Sequence, residues 1–421
     1  MAFRLKSALS ILLLLLHFYA FSQGNQPVAS ENTVSGIQFD GLKRTKESYL
    51  LSVLEKYVGI PAKNIDLNSV KVTLEELELF SETEVSLKHD ENGKTLLFIK
   101  VKEKFSFLPL PFFMYSTSTG FMGGAFVMDT NAFGIRDNYI VGGIFSKTIQ
   151  MGLMAYARPS RDVRHPGFSV DASFTHRDND EKDLYNRKML EYNIMRGSLH
   201  ASINSRLTEH LLVFAGLRYD YAHLDVGQDY RKYENEFKSF HAFSPDIGWN
   251  LNFSELNDWF LSAKSLKINS DMTFLTSGKI SESVSLKLSI QQPLPVTRMR
   301  VLTQYAIYWS NNLPFALRPS QRVVGTTIMP DKFHGTKMAG INAGLEVGIF
   351  KTKFVAFSAY GLLEQFAGED FDSSFVMNFG YSTGFKMYLK KFAFPAISVG
   401  ISHNLMQNDI KFAMTVGVGG F

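Results

Sequence analysis

Gly380-Tyr381-Ser382-Thr383-Gly384 has the form G-x-S-x-G, the spacing that presents a nucleophilic serine on a sharp strand-to-helix turn. Such an elbow needs a helix directly behind it, and Met377 to Tyr388 keeps strand character throughout. A glycine-bearing wall strand yields the same five letters without chemistry, and the motif reads as wall. Asp178, Asp180 and Asp183, close to His176, offer the hard oxygen ligands that a divalent cation takes. The EF-hand glycine is absent, because Glu181-Lys182-Asp183 fills that stretch. A solvated acidic outer loop accounts for the cluster better, and the remaining histidines lack ligand spacing. No catalytic residue, metal or cofactor is expected, and the chain does not read as an enzyme.

The elements that carry these residues point to a membrane wall. From Asp409 to Phe421 the chain alternates, with Ile410, Phe412, Met414, Val416 and Val418 on one face and Lys411, Ala413, Thr415 and Gly417 on the other. That pattern suits lipid outside and a polar lumen inside. At the other end, residues 1–22 carry Arg4 and Lys6, an apolar run from Ala8 to Leu16 and then Ala20-Phe21-Ser22, the form of a cleavable secretory signal. Beyond it no run approaches the roughly 20 apolar residues of a spanning helix. A closed barrel is the remaining way to satisfy backbone groups in lipid.

Aromatic residues make up 14% of the chain, with 31 glycines and no cysteine. An exported chain without cysteine carries neither disulfides nor a lipidated thiol, so its rigidity must come from hydrogen-bond closure or a large core. A net charge of +4 on 421 residues is too small to argue for a nucleic-acid partner.

After a polar leader at 23–31, a compact module is expected over 32–104. Val34 to Asp40 reads as a strand and Gly41-Leu42-Lys43-Arg44 as a turn, with Thr45 placed to cap a helix reaching about Lys56. A second helix follows Asp66, its Leu67, Val70, Leu74 and Leu77 spaced for one buried face. Glu82–Lys88 and Lys94–Glu103 then alternate around Asn92-Gly93 as a hairpin.

That order resembles a POTRA domain. I-Q-F-D-G-L-K-R-T-K at 37–46 is similar to the family's opening strand and turn, E-L-E-L-F-S-E-T-E-V at 76–85 to its helix end, and L-F-I-K-V-K-E-K at 97–104 to its closing strand. Val34–Phe39 or Thr95–Val101 offers a docking edge for a substrate or an assembly partner.

From Phe105 to Phe421 the text becomes long alternating strands, about sixteen of them, which gives the fold class: an all-β transmembrane barrel preceded by one small α+β domain. Long polar loops are expected near 177–193, 222–239, 269–283 and 310–336, and tight turns near 205–209, 252–258, 293–297 and 351–352. Trp249, Trp259 and Trp309 are placed near strand ends, where aromatic girdles form.

The loop near 310–336 resembles the sixth outer loop of the BamA/TamA family, whose tip folds back into the lumen. By that resemblance Val323-Val324-Gly325-Thr326 is the tip, Phe333-His334-Gly335 the second element and Glu346 the wall carboxylate. The family's tip arginine, which pairs with acidic groups on the inner wall, is Val324 here, and its tip aromatic is Thr326. Arg322 or Lys332 takes the arginine's place if either reaches Glu346 or Glu364. About eleven strands precede the loop and five follow it, as in that family.

The resemblance implies an outer-membrane barrel, with the small domain in the periplasm, that assists protein insertion or translocation by strand augmentation. The expected surroundings are outer-membrane lipid, unfolded outer-membrane or exported proteins, and periplasmic partners bound through the POTRA domain. A weak seam is expected between a first barrel strand carrying Pro109 and Pro111, which cannot donate to a ladder, and a last strand carrying Gly417, Gly419, Gly420 and Phe421. A bulge at Gly419-Gly420 brings the terminal register into line. The altered tip and the single POTRA favour an alternative: a diverged structural or passive-pore barrel that anchors a periplasmic partner through its POTRA domain.

Overall fold

The computed structural model describes residues 33–417, apart from 91–92, 117–119, 186, 227–238, 257–259, 296, 329–332, 353, 371–373 and 390–395. The expected secretory signal, the polar leader, Trp259, Lys332 and the terminal Gly419-Gly420-Phe421 lie outside the described residues.

The N-terminal unit runs β1 (Val34–Asp40), α1 (Glu47–Leu54), α2 (Leu67–Glu75), β2 (Phe80–His89) and β3 (Thr95–Glu103). Asp66 starts α2 by accepting the Asn68 N–H at 2.9 Å, which satisfies one of the donors a helix start leaves free. Val70 and Leu74 of α2 meet Leu50 and Leu54 of α1 over Leu97 and Ile99 of the sheet. Thr45 does not cap α1. Lys46 stands at the cap without a side-chain bond, and Thr45 instead faces the barrel, where its hydroxyl accepts from Asn131.

The sheet order is β1-β3-β2, with β1 parallel and β2 antiparallel to β3. Thr95–Val101 is therefore the central strand, paired on both sides, and offers no docking edge. The free edges are those of β1 and β2, and Val34 at the start of β1 already exchanges main-chain bonds with Ile60 and Gly59.

Sixteen antiparallel strands follow in chain order. They are β4 (Phe107–Ser116), β5 (Gly120–Ala132), β6 (Asp137–Phe145), β7 (Ile149–Arg158), β8 (Gly167–Lys182), β9 (Lys188–Arg206), β10 (Leu211–Val226) and β11 (Phe240–Leu256). Then come β12 (Leu261–Leu275), β13 (Ile280–Pro293), β14 (Met299–Asn311), β15 (Lys337–Lys351), β16 (Val355–Glu369), β17 (Phe375–Leu389), β18 (Ala396–Asn404) and β19 (Asp409–Gly417). Leu199, Ile203, Leu217, Ile307, Leu363 and Phe385 stand exposed on the outer wall, whereas Ser244, Thr273, Gln304, Asn342 and Ser382 are buried toward the lumen. Apolar outside and polar inside is the wall a bilayer selects. In β19, Ile410 and Phe412 are exposed and Lys411 is buried, so the expected alternation sets the observed faces there.

Two of the expected long loops are mostly strand. Asp178 to Lys182 belongs to β8 and Lys188 onward to β9, leaving a turn at 183–187, and β12 and β13 leave only 276–279. Asp178 to Lys182 is polar on both faces, so the alternation that marks a wall strand is lost there, whereas β12 and β13 keep Met272, Phe274 and Ile280 outside and Thr273 and Ser281 inside. Trp249 faces outward near the middle of β11, while Trp309 lies near the end of β14.

The N-terminal unit touches one end of the barrel, here termed proximal. The Lys46 N–H donates to the Gly134 carbonyl at 2.8 Å, the Arg136 guanidinium to the Glu76 carbonyl at 3.1 Å, and Arg161 to the Ser52 hydroxyl at 2.5 Å. Gly134 takes a φ of +72°, and a Cβ there would strike the Arg44 carbonyl oxygen, so the close approach needs glycine. The opposite, distal end carries the loop 312–336. The barrel's ends, β4 and β19, lie side by side, yet among the described residues no ladder joins them.

Candidate functional site: a loop seated in the lumen

The loop between β14 and β15 crosses the lumen. Its first limb makes a short 3-10 turn, Phe315–Leu317, and Phe315 packs edge-on against Tyr192 at 5.3 Å, beside Leu190 and Leu224. Arg196 donates to the Ala316 carbonyl at 3.3 Å while Asp220 holds it at 2.7 Å and also takes Arg218 at 2.9 Å. An apolar patch on the inner face of β9 and β10 thus anchors one side of the loop.

The tip reaches the opposite wall. A second 3-10 turn, Gln321–Val324, ends at Gly325, whose φ of +77° belongs to the left-handed region that favours glycine. From there four polar residues of the inner wall, on β14, β15, β16 and β18, address the main chain of the tip. Gln304 donates to the Val324 carbonyl at 3.4 Å and Asn342 to the Gly325 carbonyl at 2.5 Å. The Thr327 N–H and hydroxyl donate to Glu364 at 2.6 and 2.7 Å, and Ser402 donates to the Thr327 carbonyl at 3.3 Å. Gln304 pairs across to Asn342, and Asn342 to Glu364, so these groups share one height of the lumen.

Side chains of the tip bury separately. Val324 and Ile328 enter a cluster with Phe333, Phe366, Met338 and Leu184. Gly340 and Gly380 form the floor: a Cβ on either would press into the Val324 carbonyl or the Ile328 side chain.

Below the tip lies a buried charge cluster. Glu346 is wholly inaccessible and takes Arg300 at 2.8 Å, Lys386 at 3.3 Å, Tyr388 at 2.5 Å and Ser358 at 2.5 Å. Arg300 also donates to Gln291 at 2.7 Å and lies over the Phe260 ring. Two cations on one carboxylate keep the charge paired, the condition for holding ions out of water.

On the distal side His334 closes the loop's return limb. Its N–H donates to the buried Glu181 carboxylate at 2.7 Å, and its ring lies 2.9 Å from the same group. The β8–β9 turn bends over the mouth: Leu184 joins the tip cluster, its N–H facing Asp370 at 3.4 Å and its carbonyl accepting from Gln407.

Solved structures similar in shape include barrels of the expected kind. BamA from Haemophilus ducreyi lacking POTRA domains 1–3 matches at a TM-score of 0.60 and 15% identity, over 92% of this chain and 85% of that one. CdiB from Escherichia coli matches at 0.63 and 14%, and CdiB from Acinetobacter baumannii at 0.58 and 13%, each over 92% of this chain and over 77% and 74% of theirs. The fold is that of a BamA-type barrel with one POTRA-like domain before it. No protein-family model matches the sequence, and no curated protein sequence matches it.

Within that fold, Val323 to Thr326, Phe333 and Gly335 all belong to the seated loop, with Glu346 and Glu364 on the wall it faces. Neither carboxylate meets Arg322, which is exposed; Arg300 and Lys386 of the wall stand on Glu346, and Thr327 stands on Glu364. Pro109 and Pro111 pair with Val127 and Ala125 of β5, and Gly417 pairs with Ala396 of β18. Ser382 lies within β17, which runs on as strand to Leu389. Asp178, Asp180 and Asp183 sit on β8 and its turn rather than in a long loop, bonded to Asn193, Lys188 and Arg187.

Gln304, Asn342 and Ser402 were not singled out by sequence reasoning. Each is an ordinary polar residue on an alternating strand, and only the register sets Gln304 beside Asn342 and brings Ser402 within two residues of their level. Arg300 and Lys386 escaped notice for the same reason.

Proposed function

We propose that the chain is an outer-membrane barrel, with its N-terminal unit in the periplasm behind a cleaved signal at 1–22, that assists insertion or translocation of polypeptides. The observation that carries this reading is the seam. A sixteen-strand wall with β4 against β19, and no ladder between them among the described residues, leaves main-chain donors and acceptors at a sheet edge, and an incoming strand gains there the hydrogen bonds that lipid cannot supply. Pro109 and Pro111 weaken β4 as a ladder partner, since neither has an N–H, and Gly417 ends β19 without a side chain to pack. The fold shared with BamA and CdiB supports the same reading.

Depletion of the protein followed by quantitative proteomics of the outer-membrane fraction tests it. A joint fall of many barrels marks a general assembly factor, and loss of one or a few exported proteins a dedicated translocator. An unchanged outer membrane sinks the reading. One observation favours a structural barrel that anchors a periplasmic partner: Glu346 is neutralised by the wall's own Arg300 and Lys386, so the loop makes no ionic contribution there.

A further inference from the structure

We propose that the inner wall around Gln304, Asn342, Glu364, Ser382 and Ser402 is a binding site for an extended polypeptide segment, read through its main chain. The tip Val324–Ile328 is its resident occupant, and an incoming segment displaces it. The inference rests on the reading of the barrel as one that handles polypeptides.

The chemistry of the contacts carries it. Gln304, Asn342 and Ser402 donate to tip carbonyls, and Glu364 accepts a tip N–H. Peptide groups are common to every sequence, so a wall that addresses them takes an extended chain of any composition, as sheet edges do. The wall is also incompletely matched by its present occupant. The Gln304 and Asn342 side-chain carbonyl oxygens and the Ser382 hydroxyl oxygen are buried without a hydrogen-bond partner. A buried acceptor left unmade costs about 1–3 kcal/mol, and the N–H groups of a longer extended segment are what these three lack.

Geometry agrees. A cavity of about 30 Å³ lies against Gln304, Asn342, Leu362 and Lys386. Gly340 and Gly380 leave the floor low enough for a backbone to lie close. Electrostatics makes the exchange easy. With Val324 at the tip and Glu346 satisfied by Arg300 and Lys386, lifting the tip breaks no ion pair; the buried Glu364 carboxylate loses its two Thr327 donors, and an N–H of the incoming segment takes their place.

The chain has no cysteine, so Thr326→Cys in the full-length detergent-purified protein gives a single reporter. Thr326 is wholly buried under the seated tip, and the rate of maleimide labelling reports its departure. The probes are a synthetic peptide with the sequence of residues 322–329, an unrelated extended peptide of equal length, and the first peptide N-methylated at the position of Thr327. Both unmodified peptides are expected to accelerate labelling at least tenfold, and the N-methylated one is not. Gln304→Leu with Asn342→Leu is expected to give fast labelling that no peptide changes.

No acceleration at millimolar peptide, or acceleration by the tip sequence alone, overturns the proposal. If Thr326→Cys does not fold, amide exchange at Thr327 in the unaltered protein, with and without peptide, gives the same decision. Peptide displacement alongside an unchanged outer membrane on depletion removes the assembly reading and keeps the site. The reverse pair of results keeps assembly at the seam and removes the site.

Discussion

Arg44, in the turn that follows the first strand, donates to Asp129 inside the barrel wall at 2.6 Å and to Ser106 at 2.9 Å. Asp129 is almost wholly buried, so this is a charge held across the junction of two folding units rather than a surface pair. Together with Thr45–Asn131 and Lys46–Gly134 it makes the G-L-K-R-T turn a latch on the β5–β6 end of the barrel.

Arg44→Ala leaves the Asp129 carboxylate without its cation, at a cost of about 1–3 kcal/mol since Arg44 is half-exposed and the Asn131 N–H stays on the carboxylate. The N-terminal unit is then expected to swing. Spin labels on β2 and on the 207–210 turn should show a single narrow distance in the parent and a broad distribution in the variant. A narrow distribution in both would mean that the main-chain contact at Gly134 holds the unit alone.

The same turn is pH-sensitive through Glu103. Its carboxylate accepts the N–H groups of Lys43, Arg44 and Thr45 at 3.1, 2.9 and 2.8 Å. Burial pushes its pKa up, but the three donors outweigh burial and hold it below the usual carboxylate range. A depressed folded pKa means stability that is present above the unfolded value, 4.5, and lost as pH falls through the folded value. The latch is expected to loosen in that acid window, read as faster proteolysis near residues 104–106. Glu103→Gln should reduce the pH dependence to the part carried by the Arg44–Asp129 pair, while weakening the latch at neutral pH.

The strand-rich class, the α+β unit and the position of the crossing loop were legible because periodicity marks them directly. Ile410, Lys411 and Phe412 take the faces their alternation assigns. Asp178 to Lys182 misled because a hairpin above the lipid belt has two polar faces and reads as loop. Thr45 misled because a capping residue and a latch residue are the same hydroxyl, and only tertiary contact chooses. The cradle under the tip was illegible, since Gln304, Asn342 and Ser402 lie far apart in the chain and meet only through register.

Restoring an arginine at the tip tests what the wall now holds. Val324 is fully buried among Ile328, Phe333 and Phe366, and Glu346 already carries two cations. Val324→Arg therefore adds a third positive charge to a site that needs none. We expect a loss of about 3 kcal/mol or more, seen as a lower temperature for loss of heat-modifiable migration on gels. Glu346→Gln should act in the same direction, because it leaves Arg300 and Lys386 buried together. Gain of stability in either variant would refute the view that the wall is electrostatically complete.

Pro109 and Pro111 provide the sharpest test of the seam. Residues two apart on a strand direct their main-chain groups to the same side, so both missing donors fall on one edge of β4. A proline in a sheet is tolerated where its N–H side has no ladder to serve, and the ladder with β5 is registered through this stretch. We assign the missing donors to the side of β19, where no ladder is formed among the described residues. Pro109→Ala with Pro111→Ala returns two donors, each worth about 0.5–1.5 kcal/mol when paired. Amide exchange in Asp409–Gly417 is expected to slow by about tenfold to a hundredfold as β4 and β19 zip together, and assembly of client barrels to slow with it. Unchanged exchange in β19 would place the missing donors elsewhere and leave the prolines as markers of the join between the two units.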